Sequence, residues 1–173
     1  MQFKEIQKTL KLKGFDFRHF EKIDSTMDKI KQLIKEKQSN YFVISEIQKK
    51  GRGRRGSFWH SVKGNLYFSF SEKFSIDIKN HFMFNALATL SVSESIDNVC
   101  NVKSKIKWPN DVLVNGKKIS GIMTEIIKYS NNNYLIIGIG INVDSSPRIP
   151  NYPTTFAKEL YEDSNQKEII ESF

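Results

Sequence analysis

Residues 134–143 read YLIIGIGINV. Successive side chains of a strand point to opposite faces, so Ile137, Ile139, Ile141 and Val143 share one face. Gly138, Gly140 and Asn142 share the other. The first face suits a core. The second is nearly bare, and glycines on one face of a strand mean that a ligand or another backbone comes close.

The alternation recurs outward from this strand. In 65–71, NLYFSFS, Leu66, Phe68 and Phe70 oppose Asn65, Tyr67, Ser69 and Ser71. The first set suits a core and the second a polar site. Strands are also expected at 15–23 (FDFRHFEKI) and 41–46 (YFVISE). Residues 104–114 and 117–127 flank Asn115-Gly116, a strong hairpin signal. A short basic amphipathic helix is expected up to about residue 13. Ser25 opens a second helix, with Met27, Ile30, Leu33 and Ile34 on one face; Ser25 and Asp28 resemble a capping box. Residues 80–96 read as a core helix through Met83, Ala86, Leu87 and Leu90. Pro147, Pro150 and Pro153 mark a loop, and short helical stretches follow at 156–160 and 166–173. The last lacks a stop signal, so the chain reads as cut short inside a helix.

The 173 residues suit one domain, and 39% hydrophobic content with 12% aromatics supports a folded core. The net charge of +8 points to an anionic partner, although scattered surface lysines account for most of it. Cys100 is the sole cysteine, which excludes an internal disulfide; no C-x-x-C or H-E-x-x-H pattern is present to hold zinc. The charged N-terminus lacks a signal-peptide core, and no apolar run approaches membrane-spanning length. A cytoplasmic protein is expected.

The chemistry concentrates in two segments. Residues 51–56 read GRGRRG, followed by Ser57 and Phe58. A phosphate-cradling P-loop needs lysine after its last glycine, and a dinucleotide-binding turn must open a helix. Neither condition is met. What remains is a flexible backbone carrying Arg52, Arg54 and Arg55, whose forked donors suit phosphate and carboxylate oxygens. Mutual repulsion predicts a loop that stays mobile until an anion arrives. Trp59 either stacks on a flat ligand ring or closes the loop base as a core residue. The second segment is KWPND, 107–111, where Pro109 disturbs a strand at the point where Lys107, Asn110 and Asp111 gather.

Together these pieces resemble the biotin protein ligase family, also called biotin–[acetyl-CoA-carboxylase] ligase. The matching residues are Ser25-Thr26, Gln48, GRGRRG with Trp59, Asn65-Leu66-Tyr67 with Ser69, KWPND, Gly116-Lys117-Lys118-Ile119 with Gly121 and Glu125, and GIGIN at 138–142. The resemblance implies an α+β fold: a mixed, largely antiparallel sheet backed by helices, similar to class II aminoacyl-tRNA synthetase catalytic domains. It implies that biotin and ATP, with Mg²⁺, are joined into biotinyl-5′-AMP. The biotinyl group then passes to a lysine of a biotin carboxyl carrier protein. Ser25, Thr26, Met27, Gln48, Gly51, Arg52, Gly53, Arg54, Lys107 and Gly121 would serve biotin. Arg52, Arg54, Arg55, Trp59, Lys107, Asn110, Lys118 and Asn142 would serve ATP and the adenylate. Lys107 and Arg54 would be catalytic, and no side chain is assigned to a metal. Ser57 stands where many members carry arginine or lysine. Too few residues precede Ser25 for the N-terminal DNA-binding domain of some members, and the usual C-terminal β-barrel is missing. One catalytic domain, 1–173, is expected, without DNA or membrane binding and with homodimerisation left open. A lipoate or octanoate ligase or transferase of the same fold is the nearest alternative. An RNA-binding arginine-glycine loop is a further one, which leaves KWPND unexplained.

Overall fold

A computed structural model describes residues 3–74 and 81–173. In chain order the elements are α1 (Lys4–Leu12), β1 (Phe15–Ile23), α2 (Thr26–Glu36), β2 (Asn40–Gln48), β3 (Leu66–Phe74) and α3 (His81–Cys100). They continue with β4 (Lys105–Lys107), β5 (Asp111–Val114), β6 (Lys117–Tyr129), β7 (Asn132–Ile141), α4 (Ala157–Leu160) and α5 (Gln166–Ser172). The seven strands form one sheet in the order β1-β2-β3-β7-β6-β5-β4. Only β1 and β2 run parallel, joined by the α2 crossover; every other neighbouring pair is antiparallel. The expected mixed, largely antiparallel sheet with helices is what forms.

The strand alternation assigns the two sheet faces. Phe42, Ile44, Leu66, Phe68, Ile137, Ile139 and Ile141 pack with α3 and α5 into the larger core. On the other face α2 lays Met27, Ile30, Leu33 and Ile34 against Tyr41, Val43, Tyr134 and Ile136. Ile30 and Ile34 are fully buried, and each such side chain is worth roughly 1.5–3 kcal/mol of transfer free energy. The α2 helix starts where the capping pattern puts it: the Ser25 hydroxyl accepts from the Asp28 amide at 3.4 Å. Asn115 and Gly116 both take positive φ in the β5–β6 turn, as the hairpin signal requires.

Two expectations are corrected. The first residue of the expected core helix, Asn80, lies outside the described residues, and the proposed core face of that helix is turned outward. Met83 is 51% exposed, Leu87 61% and Leu90 49%. The packed row is instead Phe84, Ala88, Val92, Ile96 and Cys100, spaced by four. The N-terminal half of α3 is apolar almost all round, so periodicity alone does not choose between its two stripes. Second, 104–114 is not one disturbed strand. The chain reverses at Trp108–Asn110, and β4 pairs antiparallel with β5 so that Lys107 opposes Asp111. Lys107 thus sits on an exposed edge strand.

The polar row of β3 is also buried. Ser71 accepts from the Tyr41 amide at 3.0 Å, and the Tyr67 hydroxyl donates to the Val62 carbonyl at 2.9 Å. Only Ser69 of that row reaches a residue expected in the site.

Candidate active site

The α2 helix covers only part of its sheet face. Beyond it, Gly138 and Gly140 of β7 and Gly121 of β6 form a floor that lacks side chains. A Cβ built on Gly140 would lie 2.5 Å from the Trp59 ring, and one on Gly138 would lie 2.6 Å from the Met27 sulfur. Substitution at either position forces a neighbour to move. Above this floor lies a cleft of about 530 Å³. Its walls come from the start of α2, the arginine-glycine segment, the β4–β5 turn and the proline loop.

One wall is neutral and hydrogen-bonded. The Gln48 side-chain oxygen accepts from the Thr26 amide at 2.8 Å and from the Thr26 hydroxyl at 3.1 Å. With its proton committed to Gln48, Thr26 accepts from the Ser69 hydroxyl at 2.7 Å. The Gln48 amide donates onward to Ser61 at 3.2 Å. Ser25, Thr26 and Gln48 are all buried.

The arginine-glycine segment is a small hairpin. Trp59 donates its amide to the Gly51 carbonyl at 2.9 Å, and Gly53 donates to the Ser57 carbonyl at 2.8 Å. Arg55 and Gly56 take positive φ at the tip. The expected repulsion among the arginines is relieved because they diverge. Arg52 pairs with Glu125 at 2.6 Å and with Asp28 at 3.6 Å. Arg54 donates to the Asn110 side-chain oxygen at 3.0 Å, while Arg55 is exposed. Asn110 is itself fixed to β6: its side-chain amide donates to the Ile122 carbonyl at 3.0 Å.

The opposite wall is charged. Lys118 lies 2.8 Å from Asp111, both side chains mostly buried, and its ammonium stands 5.2 Å from the Trp59 ring centre. The Tyr152 hydroxyl donates to the other Asp111 oxygen at 2.6 Å. Burial and, next, the Asp111 carboxylate hold this phenol above its ordinary range, so it remains a donor. Lys107 reaches the Tyr152 hydroxyl at 3.4 Å and stands 4.6 Å from its ring.

Most of the residues singled out from sequence meet in this cleft: Ser25, Thr26, Met27, Gln48, Arg52, Gly53, Arg54, Arg55, Trp59, Asn110, Lys118, Gly121 and Asn142 all line it. Lys107 and Gly51 do not. Lys107 touches the lining through Tyr152, and Gly51 sits at the hairpin base beneath Trp59. The loop-base alternative for Trp59 is what forms, with its ring packed on the glycine floor, and the ring also lines the cleft. Among the buried polar atoms of lining residues, the Trp59 indole N–H and the Asn142 side-chain oxygen have no partner, and one Asp111 oxygen has only its ion pair with Lys118. One donor and one acceptor are therefore left for a ligand.

Asp111, Tyr152 and Thr154 also line the cleft and were not singled out for it. Asp111 stood in the quoted KWPND segment without a role. Tyr152 and Thr154 lie in the proline loop, which has no periodicity to reveal what it faces. Among the described residues no cluster of three or more His, Cys, Asp or Glu is arranged to hold a metal. None of the described helices is long and apolar enough to cross a membrane.

Comparison with known proteins places the cleft in context. Residues 19–142 match the model of the biotin/lipoate A/B protein ligase family. The bifunctional ligase/repressor BirA of Bacillus subtilis is 38% identical over 107 residues, 61% of this chain and 33% of that protein. Biotin–protein ligase 2 of Arabidopsis thaliana is 33% identical over 147 residues, 82% of this chain and 43% of that protein. The chain thus spans well under half the length of these relatives. Among solved structures, the biotin protein ligase of Aquifex aeolicus with biotin and ATP superposes with a TM-score of 0.69 at 31% identity, covering 92% of this chain and 66% of that one. The biotin complex of the Leishmania major ligase gives 0.75 at 26%, covering 90% and 70%.

Proposed function

The chain belongs to the biotin/lipoate A/B protein ligase family, and from that premise we propose that it activates biotin with ATP as biotinyl-5′-AMP and passes the biotinyl group to a lysine of a carrier protein. The observation that carries this reading is one cleft with a neutral, hydrogen-bonding wall facing a charged wall across a glycine floor, with Arg54 and Arg55 at the hairpin tip beside it. The relatives named as biotin ligases, and the solved ligases with biotin and ATP, support it.

A ureido ring is neutral and is recognised by hydrogen bonds, which Ser25, Thr26 and Gln48 would supply beside the open start of α2. Met27, Gly53 and Gly121 would shape the slot, and Gly51 would set the hairpin base. In the first step a biotin carboxylate oxygen forms a bond to the α-phosphorus, and the α-phosphorus bond to pyrophosphate breaks. Two anions must meet for this, so cations at the meeting point lower the barrier most where water is excluded. Lys118 and Arg54 line the cleft for that task, and Lys107 would leave Tyr152 to join them. Arg55 would hold the outer phosphates. The unpartnered Trp59 N–H and Asn142 oxygen would take the polar edge of the nucleotide. Because the described side chains include no ready metal cluster, Mg²⁺ would arrive on the ATP phosphates, where it would neutralise the leaving pyrophosphate. In the second step a neutral lysine amine of the carrier attacks the acyl carbon and AMP leaves.

The test is incubation with Mg²⁺, radiolabelled ATP and either biotin or lipoate. Biotin-dependent acyl-adenylate and pyrophosphate are expected. A signal with lipoate alone would move the chain to the lipoate side of the family, and no signal from a full-length protein would overturn the activity.

A further inference from the structure

Arg52 is held differently from its two neighbours in the hairpin. Its guanidinium lies 2.6 Å from one Glu125 carboxylate oxygen, and Lys31 lies 2.7 Å from the other. Asp28 closes the ring, 3.3 Å from Lys31 and 3.6 Å from Arg52. Two positive and two negative groups therefore join three parts of the fold. Asp28 and Lys31 belong to the first turns of α2, Glu125 to β6, and Arg52 to the hairpin. All four side chains are partly shielded from water, between 23% and 44% exposed. Isolated exposed ion pairs contribute little, whereas a shielded network with short charge-assisted contacts holds its geometry.

The ring stands at the edge of the cleft, and of its four members Arg52 alone lines it. Glu125 follows Gly121 and Met123 on the same face of β6, and both of those line the cleft. Glu125 itself does not. Asp28 directly follows Met27, whose sulfur lies against the Gly138 floor. The tip beyond Arg52 carries Arg54 and Arg55, which form part of the cleft wall. On the neutral-wall side, the ring is the charged tie between the hairpin and the sheet.

We propose that Glu125 is a positioning residue for the reaction: through Arg52, and braced by Lys31 and Asp28, it fastens the arginine hairpin over the cleft and so retains the acyl-adenylate between its formation and its transfer. The role in retention rests on the activity proposed above; the fastening itself does not. A mixed anhydride is destroyed by water, so a wall that stays shut between the two steps has a direct chemical use.

The experiment combines limited trypsin digestion with single-turnover assays in MgATP and biotin on the full chain. It compares the wild type, Glu125→Gln and Asp28→Asn. Trypsin cuts after Arg54 and Arg55 in the hairpin tip. Losing one charge-assisted contact of this kind is expected to raise cleavage there roughly tenfold in Glu125→Gln. Loss of preformed adenylate to solution should rise by a similar factor, with its formation within about threefold of wild type. Asp28→Asn, which removes only the longer of the two anionic contacts of Arg52, should raise cleavage less than Glu125→Gln does. Unchanged cleavage in a folded Glu125→Gln, or an Asp28→Asn variant more labile than Glu125→Gln, would overturn the proposal. Should Glu125→Gln fold poorly, Glu125→Asp, which keeps the charge and shortens the reach, takes its place under the same criteria. If the wild type makes no acyl-adenylate, the activity fails, while the trypsin result still decides whether Glu125 fastens the hairpin.

Discussion

Two lysines, Lys107 and Lys118, stand 4.6 and 5.6 Å from the centre of the Tyr152 ring. They differ in how their charges are held. Lys118 is committed to Asp111 and mostly buried. Lys107 is exposed on an edge strand, with one long contact to the Tyr152 hydroxyl. A flexible ammonium on a four-carbon stem can change partners at low cost. Lys107→Ala is therefore expected to lower adenylate formation by about a hundredfold or more, the scale for removing a donor from a developing charge. Its unfolding free energy should stay within about 0.5 kcal/mol of wild type, as for other surface changes. Near-normal turnover with labelled ATP would refute the role. Sequence made Lys107 conspicuous through the KWPND cluster, but it gave no hint of Tyr152, because the proline loop reaches the cleft by a path that no local pattern encodes.

Strand faces are legible in the sequence wherever one face is apolar and the other small or polar. The glycine face of β7 is legible in residues 138–142 alone, whereas the register that sets Gly138 opposite Ser69 and Gly140 opposite Tyr67 is fixed only in the sheet. What fills the space above it was not readable: Trp59 and Met27 come from segments far away in sequence. The contact gives a direct test. In Gly140→Ala the new methyl would fall 2.5 Å from the indole of Trp59, so the ring must leave the floor. A shifted tryptophan fluorescence maximum and weaker ATP binding are the expected results; an unchanged spectrum with normal affinity would show that the ring does not rest there. The misread face of α3 has the opposite origin. Too many of its positions are apolar, so the pattern permitted two answers, and the four-residue row from Phe84 to Cys100 was chosen by the sheet it meets.

Across the whole molecule, charge and burial predict how the fold responds to its surroundings. Burial alone would raise the Glu125 carboxyl, but Lys31 and Arg52 outweigh it and hold the group below the ordinary carboxylate range. A depressed carboxylate stabilises the fold above its unfolded value, near 4.5, and that contribution is lost as pH falls through the lower folded value. Glu125→Gln should therefore flatten the acid limb of a stability–pH curve below about pH 4.5 and leave its shape near neutrality unchanged. A parallel acid limb in mutant and wild type would contradict this. Cys100 reports on opening of the core. It is buried in the α3 row, and desolvation raises its thiol, against a smaller opposing effect from Ser164. Labelling by a disulfide reagent is expected to follow global unfolding and to slow when biotin and ATP are added; rapid labelling of the native protein would place Cys100 outside the core.

The floor of the cleft also limits how the site can be altered. Its depth at Gly121, Gly138 and Gly140 comes from missing side chains, and no amino acid is smaller than glycine. Mutation on that side can only narrow the range of ligands admitted. Room for a bulkier ligand must come from the side that covers this floor, where Trp59 rests on Gly140 and Met27 on Gly138, so directed evolution of the cleft has two positions to randomise and three to leave alone.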